Sequence, residues 1–375
     1  MDTETLRRSI RREFAIAVVL TAIALGLGTW IARPTSGVDG RSLAAAVTMR
    51  EATAALAVHR ETYGPPLDPE DVNRTGLIGS FFTPLTTTIG TLEAKRTTTN
   101  PNLAAAVVDL LLDAGLKAGD AIAIGASGSF PAVLLAVLCA ADALDLDVGL
   151  IVSFGASQWG ANLVDFTWLG MQDVLIDAAL LPAEYRADAA SLGGADDVGR
   201  EFEPGIRAEL RAQIEAGGAQ LLEEPDLEAN VAQRIDTYTR AVDGQPIAAF
   251  VNIGGAWANV GPDSVSLSLH PGLLTDIEIP ATEERGTLFA FADMGTPVLH
   301  FLQIAELAAQ LGLAWDPSPL PEPGVANGDP RNDAANTLAA LYLAATVIWL
   351  ISVRVRMKRE SKNGQSVASR RGRIR

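Results

Sequence analysis

Short apolar runs alternate with helical patterns through the middle of the chain, and most of the runs end in glycine-rich turns. The predicted strands are residues 121–124, 148–154, 187–192, 220–222 and 247–253. Apolar strands that alternate with amphipathic helices are typical of a mostly parallel sheet covered by helices on both faces. The pattern therefore predicts an α/β fold with a doubly wound, Rossmann-like sheet.

Helical spacing of apolar residues predicts the segments between the strands. The predicted helices are residues 39–63, 102–116, 133–144, 169–180, 205–216, 227–241 and 297–313, the last of which contains His300. Residues 67–100 are rich in threonine and predict a polar loop, because so many hydroxyls are unusual in a core element. Residues 262–296 predict an irregular region with a strand-like piece at 265–269.

Four predicted strands end in glycine turns. The carboxyl ends of parallel strands lie at one edge of a sheet, where such sheets bind ligands, so the turns are expected to share a cleft. The candidate ligand-binding residues in or next to the turns are Gly125, Ser127, Gly128, Ser129, Ser157, Trp159, Asn162, Asp197, Asn252, Gly254 and Gly255.

Two apolar runs lie near the chain ends, at residues 14–31 and 337–353, and both have arginines beside them. Their lengths suit membrane-spanning helices, and both basic flanks favour the cytoplasmic side. A signal peptide is the alternative for the first run. Arg11-Arg12 also resembles a twin-arginine export signal.

These patterns predict a two-pass protein of the cell membrane whose termini are cytoplasmic and whose main domain is extracytoplasmic. The predicted segments are a basic N-terminus (1–13), a transmembrane helix (14–31), a membrane-proximal helix and linker (32–76), the extracytoplasmic α/β domain (77–316), a proline-rich spacer (317–333), a second transmembrane helix (334–353) and a basic tail (354–375).

The charge distribution along the chain limits which partners the protein is expected to bind. The formal net charge is −16, and the basic residues gather at the two ends, with nine Lys or Arg in residues 354–375. The acidic middle repels nucleic acid, so no nucleic-acid partner is predicted. Cys139 is the single cysteine, which excludes an intrachain disulfide.

Ser127 or Ser129 is a candidate nucleophile, and each would need a base. His270 or His300 with Asp196 or Asp197 is one possible arrangement, and a serine–lysine pair with Lys95 is another. The alternatives are an anion-binding turn and an ordinary strand-to-helix turn with Ser129 as the N-cap.

Lys95 and Arg96 stand out among the few cations of the middle region. With Thr98 and Asn100 nearby, they form a candidate site for a carboxylate or phosphate of a ligand, or else a solvated pair. Asp196-Asp197 fits either a hard-cation site or an acidic first helical turn. No spacing typical of a zinc or iron site occurs, and neither a metal nor a cofactor is predicted.

Several motifs in order resemble the poly-γ-glutamate system protein family, over about residues 77–313. They are Leu77-Ile78-Gly79, Thr86-Thr87-Thr88-Ile89-Gly90, Ala94-Lys95-Arg96-Thr97-Thr98-Thr99-Asn100-Pro101, Gly125-Ala126-Ser127-Gly128-Ser129-Phe130-Pro131, Gly155-Ala156-Ser157-Gln158-Trp159-Gly160-Ala161-Asn162 and Phe250-Val251-Asn252-Ile253-Gly254-Gly255.

The resemblance implies a membrane-anchored accessory protein of poly-γ-glutamate synthesis or export. Its expected partners are the membrane subunits of that machinery, the lipid bilayer and the end of the anionic polymer. The role expected from this is non-catalytic, with binding through the glycine turns. The rival is an extracytoplasmic hydrolase or transpeptidase of γ-glutamyl bonds that uses Ser127 or Ser129.

Overall fold

The computed structural model describes residues 40–262, 264–281 and 285–325, together with Trp349 and Ser352. Nine strands lie within these ranges: β1 (Thr86–Thr88), β2 (Ala121–Ser127), β3 (Asp147–Ser153), β4 (Ala156–Ser157), β5 (Ala189–Ser191), β6 (Gln220–Leu222), β7 (Ile247–Ile253), β8 (Gly272–Leu274) and β9 (Val298–Phe301).

Ten α-helices accompany them in the same ranges: α1 (Gly40–Thr62), α2 (Leu92–Thr98), α3 (Asn102–Asp113), α4 (Pro131–Leu144), α5 (Trp168–Asp177), α6 (Pro204–Ala216), α7 (Leu227–Ala241), α8 (Trp257–Val260), α9 (Thr287–Asp293) and α10 (Ile304–Gln310).

Seven strands form one sheet in the order β6-β5-β3-β2-β7-β9-β8, in which only the β8–β9 pairing is antiparallel. The chain moves outward from β2 through β3, β5 and β6 and then returns to the other side of β2 with β7. The order therefore reverses between β2 and β7, and parallel sheets bind ligands beyond the carboxyl ends at such a point. The mostly parallel α/β fold is confirmed.

Helices cover both faces of this sheet. The first face carries α3 and α4, and Val107, Val133 and Leu135 are fully buried there. The second face carries α7 and α9, and Tyr238 and Phe291 pack there against the sheet in a separate cluster. Burial on both faces explains why β2 is apolar along its length instead of alternating with polar residues.

Helix α1 belongs to the same compact unit, which extends from Val38 to Asn327. Its buried stripe, which includes Met49, Ala52 and Leu56, packs in the core of the first face, against α3 and α4. The boundary predicted at residue 77 falls inside this unit. The proline-rich segment is tied down as well, since Asn73 Nδ2 donates to Pro317 O at 2.8 Å.

No helix within the described ranges is long and apolar enough to cross a membrane. The predicted membrane segments 14–31 and 334–353 and the two basic ends lie outside the described residues, apart from Trp349 and Ser352.

Two predicted elements are wrong. The predicted helix 297–313 is a strand followed by a helix, β9 and α10, and His300 lies on the strand. Pro297 precedes β9, and the β-branched Val298 begins it. Since β9 pairs with β7, sheet pairing overrides the helical spacing of the apolar residues. The strand-like piece at 265–269 is a 3₁₀ turn, Ser264–Ser268.

The threonine-rich stretch predicted as a loop forms β1 and α2. The hydroxyls of Thr97, Thr98 and Thr99 each donate to a backbone carbonyl three or four residues earlier, all at 2.7 Å. A hydroxyl satisfied in this way can be buried with its methyl group, which explains how a polar sequence enters the interior.

Candidate functional site

A row of serines ends three neighbouring strands at the carboxyl edge of the sheet. Ser127 of β2 pairs in register with Ser153 of β3, which pairs with Ser191 of β5. All three are buried. The row lies beneath the glycine turns, so the turns do meet at one edge as their sequence predicts.

The turns pack tightly against one another, and this is why they need glycine. Gly254 has a φ of +77°, and a Cβ there would lie 2.2 Å from Ser127 Oγ. A Cβ on Gly128 would lie 2.6 Å from Phe154 O. Gly125 is a residue of β2 rather than of the turn, and a Cβ there would meet the amide of Asn259 at 2.8 Å. Gly255 is exposed, and a Cβ there would have nothing within 4 Å.

Lys95 is buried beside the turn that follows β2. It projects from α2, and its Nζ donates to Ser157 Oγ at 2.6 Å and to the carbonyl oxygen of Ser129. The same ammonium lies 3.6 Å from the centre of the Phe130 ring. Lys95 therefore has three neutral partners.

Burial lowers the pKa of Lys95 well below its usual value of 10.5. Within the described ranges no carboxylate lies within 4 Å of its nitrogen. The Phe130 ring favours the cation, whereas desolvation disfavours it more strongly. Lys95 thus lies in the interior and does not project into solvent to meet a ligand carboxylate.

Ser129 organises this cluster through its backbone and its side chain. Its carbonyl accepts from Lys95, and its Oγ accepts the backbone N–H of Ser157 at 3.0 Å. The N–H of Ser129 in turn donates to Ser127 Oγ at 3.3 Å. Ser129 is not the N-cap of α4, which begins after Phe130 without a side-chain cap.

Arg96 faces away from Lys95 and makes a bidentate ion pair with Asp316. Both nitrogen–oxygen distances are 2.7 Å, and the hydrogen bonds to Asp316 raise the pKa of Arg96. Lys95 and Arg96 therefore have separate internal partners and do not form one anion site.

Thr98 and Asn100 also serve the local structure. Thr98 Oγ1 donates to Lys95 O, and Asn100 Oδ1 accepts the N–H of Asn102 at 3.1 Å. Asn100 is fully buried, and its Nδ2 has no hydrogen-bond partner in the part of the chain that the structure describes.

Asp197 is fully buried in an ion pair with Arg234, at 2.6 Å. Its carboxylate also accepts from Ser191 Oγ at 2.7 Å. Burial lowers the pKa of Arg234, but the charge of Asp197 and hydrogen bonds outweigh it, so the net shift is upward. Asp196 pairs separately with Arg200, at 2.6 Å. The two carboxylates are therefore neutralised by arginines and do not act together on one ligand.

Asn252 and His300 form a buried pair across β7 and β9, with 3.0 Å between Asn252 Nδ2 and His300 Nδ1. Burial lowers the pKa of His300 to about 4. Asn252 Oδ1, His300 Nε2 and Asn259 Nδ2 have no hydrogen-bond partner among the described residues. This histidine is neutral at physiological pH.

No histidine in the described residues is hydrogen-bonded to Ser127 or Ser129. His300 pairs with Asn252, His270 pairs with Glu306 at 2.9 Å, and His59 stacks on Phe166. The predicted serine–histidine–aspartate arrangement is therefore not formed.

Trp159 and Asn162 hold the surface loop before β1. Asn162 is fully buried, accepts the N–H of Ser80 at 3.0 Å and donates to its carbonyl at 2.7 Å. Trp159, at a φ of +56°, packs on Phe81 with 5.2 Å between ring centres. Both residues therefore shape an outer surface.

Sequence reasoning missed the lysine's partner and the arginine that faces Asp197. Lys95 and Ser157 are 62 positions apart, and Asp197 and Arg234 are 37 apart. The threonine run around Lys95 predicts a loop, so no signal in the neighbouring sequence marks the burial of Lys95. Arg234 lies among ordinary helical residues, and nothing in its neighbours marks it.

No family model, curated protein or solved structure matches this chain significantly. The resemblance to the poly-γ-glutamate system proteins therefore stays a prediction.

Proposed function

We propose that this protein is an accessory of poly-γ-glutamate synthesis or export, and that it docks on a membrane subunit of that machinery. The single observation that carries the docking is an exposed apolar surface at the carboxyl edge of the sheet. We name it the Phe82 surface, and it consists of Phe81, Phe82, Ile89 and Trp159.

The Phe82 surface is built around β4. Phe82 and Ile89 are 71 % and 89 % exposed. The turn after β4 lies between the segment of Phe82 and the segment of Ile89. Trp159 N donates to Ser80 O at 3.0 Å on the first side, and Gln158 N donates to Thr88 O at 3.1 Å on the second. Exposed aromatic and aliphatic side chains that lie together are typical of protein contacts.

The charges favour a protein partner over the polymer. Lys95 is buried, and Arg96 is paired with Asp316, so neither offers a free cation to a polyanion. The net charge of −16 adds repulsion toward polyglutamate. An apolar surface gains most of its binding energy from contact with another apolar surface. We therefore assign the partner subunit, rather than the polymer end, to the Phe82 surface.

The proposed location is the cell membrane, with two membrane passes, cytoplasmic termini and an extracytoplasmic domain. The apolar runs and their basic flanks support this orientation.

Photo-crosslinking tests the docking in cells that make the polymer. A photoreactive phenylalanine analogue at Phe82 is expected to crosslink the full-length protein to a subunit of the polymer machinery. The double variant F82S/I89S is expected to lower polymer yield and to keep its cooperative unfolding. Met294→Ser is the matched control, because Met294 is 58 % exposed and precedes β9, at the opposite edge of the sheet.

Equal polymer yield from the double variant and wild type, without a crosslink to any subunit of the machinery, contradicts the proposal. A yield that falls equally in Met294→Ser contradicts it too, since the loss would not depend on this surface.

A further inference from the structure

We propose that Ser157 and Lys95 form a nucleophile and base pair that transfers acyl groups from amides or esters. This activity goes beyond the proposed docking and does not depend on it. It moves the candidate nucleophile from Ser127 and Ser129, where sequence reasoning placed it, to the turn after β4.

The geometry of the pair is fixed from both sides. The Lys95 nitrogen is 2.6 Å from Ser157 Oγ, within the hydrogen-bond distance that proton transfer requires. Ser129 holds both partners, since its hydroxyl accepts the Ser157 N–H and its carbonyl accepts from Lys95. The Lys95 nitrogen also lies over the face of the Phe130 ring. Ser129 and Phe130 are therefore positioning residues.

The environment favours the amine over the ammonium. Lysine becomes a base when it is desolvated, and the three partners of Lys95 carry no charge. The serine hydroxyl can then donate to the free amine. Serine–lysine pairs of this kind perform acyl transfer on several unrelated folds.

Ser129 and Ser127 lack such a base. Lys95 bonds to the carbonyl of Ser129 and not to its hydroxyl. Ser127 Oγ accepts from a backbone N–H and packs against Gly254. Of the three serines near the turn, Ser157 alone has its hydroxyl on the lysine.

Gly90 marks the side from which a substrate carbonyl would approach. Ser157 is only 6 % exposed, and Gly90 lies next to its Oγ, where a Cβ would stand 3.2 Å away. Ile89, the preceding residue, is 89 % exposed, so this segment is at the surface. On this side Ser157 Oγ is therefore covered by Gly90, which has no side chain to block a substrate.

The reaction balances with water or an amine as the acyl acceptor. Ser157 Oγ bonds to the carbonyl carbon while its proton passes to Lys95 Nζ. The bond from carbon to the leaving nitrogen or oxygen then breaks, and the leaving group takes the proton from Lys95. Water or an amine next attacks the acyl-serine and gives a proton to Lys95. The bond from the carbonyl carbon to Ser157 Oγ then breaks, Ser157 Oγ takes that proton from Lys95, and the acid or a new amide leaves.

Labelling with an alkyne-bearing β-lactone tests the proposal on the full-length protein. Attack on the lactone opens the ring and leaves the whole probe as an ester on the serine. Mass spectrometry is expected to find the adduct on Ser157 and none in Ser157→Ala. Ser42→Ala is the matched control, because Ser42 is also buried but its hydroxyl donates to Asp109 of α3. The labelling of this variant is expected to equal that of wild type.

The role of Lys95 is tested by substitution and by pH. Lys95→Met is expected to lower the labelling rate by at least about 100-fold, the smallest usual effect of a general base. Lys95→Arg is expected to show no rescue, because a guanidinium does not deprotonate. In wild type the rate is expected to rise with pH to a plateau reached below pH 10.5.

Several outcomes overturn the proposal: an adduct on another residue, no adduct above that of heat-unfolded protein, or equal labelling of Lys95→Met and wild type. If Lys95→Met fails to fold, the wild-type profile decides, and a rate that keeps rising above pH 10.5 without a plateau overturns it. The F82S variant is expected to keep its labelling, which separates a failure of this activity from a failure of the docking.

Discussion

Arg234 and Asp197 show how a charged pair is tolerated in the interior of this fold. Both side chains are fully buried, and Ser153, Ser191 and Asn230 surround them with hydrogen bonds. Removal of one partner leaves the other charge buried and uncompensated, which is more costly than the pair is favourable.

A double-mutant cycle measures this coupling. Arg234→Met and Asp197→Asn are each expected to lower the free energy of unfolding by about 3–5 kcal/mol. The double variant is expected to lose less than the sum of the two, because it leaves no uncompensated charge. Urea unfolding of the four proteins gives the values, and additive losses would contradict a direct pair.

The contact partners of single residues were the least predictable feature of this molecule. The residues at the edge of the sheet could be identified from the glycine turns, but their partners could not. Lys95 was expected to meet a ligand, and it meets Ser157 instead, because the fold brings together two segments with no local sequence relation. Burial of Lys95 depends on the whole arrangement of α2, β4 and the turn after β2, which no local pattern encodes.

Elements were predicted much better, because their signals are local. β7 and α7 have the bounds that apolar runs and helical spacing predicted, residues 247–253 and 227–241. The wrong predictions concern elements whose secondary structure is determined by tertiary contacts. β9 pairs with β7 although its sequence has helical spacing, and α2 buries threonines that read as a loop.

The turn after β2 gives a test at the level of one element. Gly128→Ala is expected to lower the free energy of unfolding by about 1–3 kcal/mol, because its Cβ would lie 2.6 Å from Phe154 O and the turn would have to shift. Gly205→Ala is the control, since Gly205 is the second residue of α6 with nothing within 4 Å of a Cβ, and about 0.4–1 kcal/mol of stabilisation is expected there. Equal effects in thermal unfolding would contradict the close packing of the turns.

The compact unit from Val38 to Asn327 changes the predicted organisation of the whole chain. Helix α1 was expected to lead from the membrane to a domain that begins at residue 77. Its apolar positions were visible in the sequence, but their packing partners were not. Since α1 lies against α3 and α4, it is part of the domain core.

Two fragments of the chain test whether the folded domain begins at residue 38 or at residue 77. Residues 38–327 are expected to unfold in one cooperative transition. Residues 77–327 are expected to show no such transition and to aggregate, because loss of α1 exposes the apolar side of α3 and α4. Circular dichroism during thermal unfolding distinguishes the two, and equal cooperativity of both fragments would contradict the packing of α1.

The proposed activity depends on a lysine poised as a base beside Ser157 at the edge of the sheet. The chain has only four lysines, at positions 95, 117, 358 and 362. Nuclear magnetic resonance of protein labelled with ¹⁵N-lysine can therefore follow each side-chain nitrogen, and Lys95→Met identifies the signal of Lys95. The pKa of Lys95 is expected well below 10.5, because burial disfavours the ammonium. A pKa of Lys95 at or above 10.5 would contradict the account.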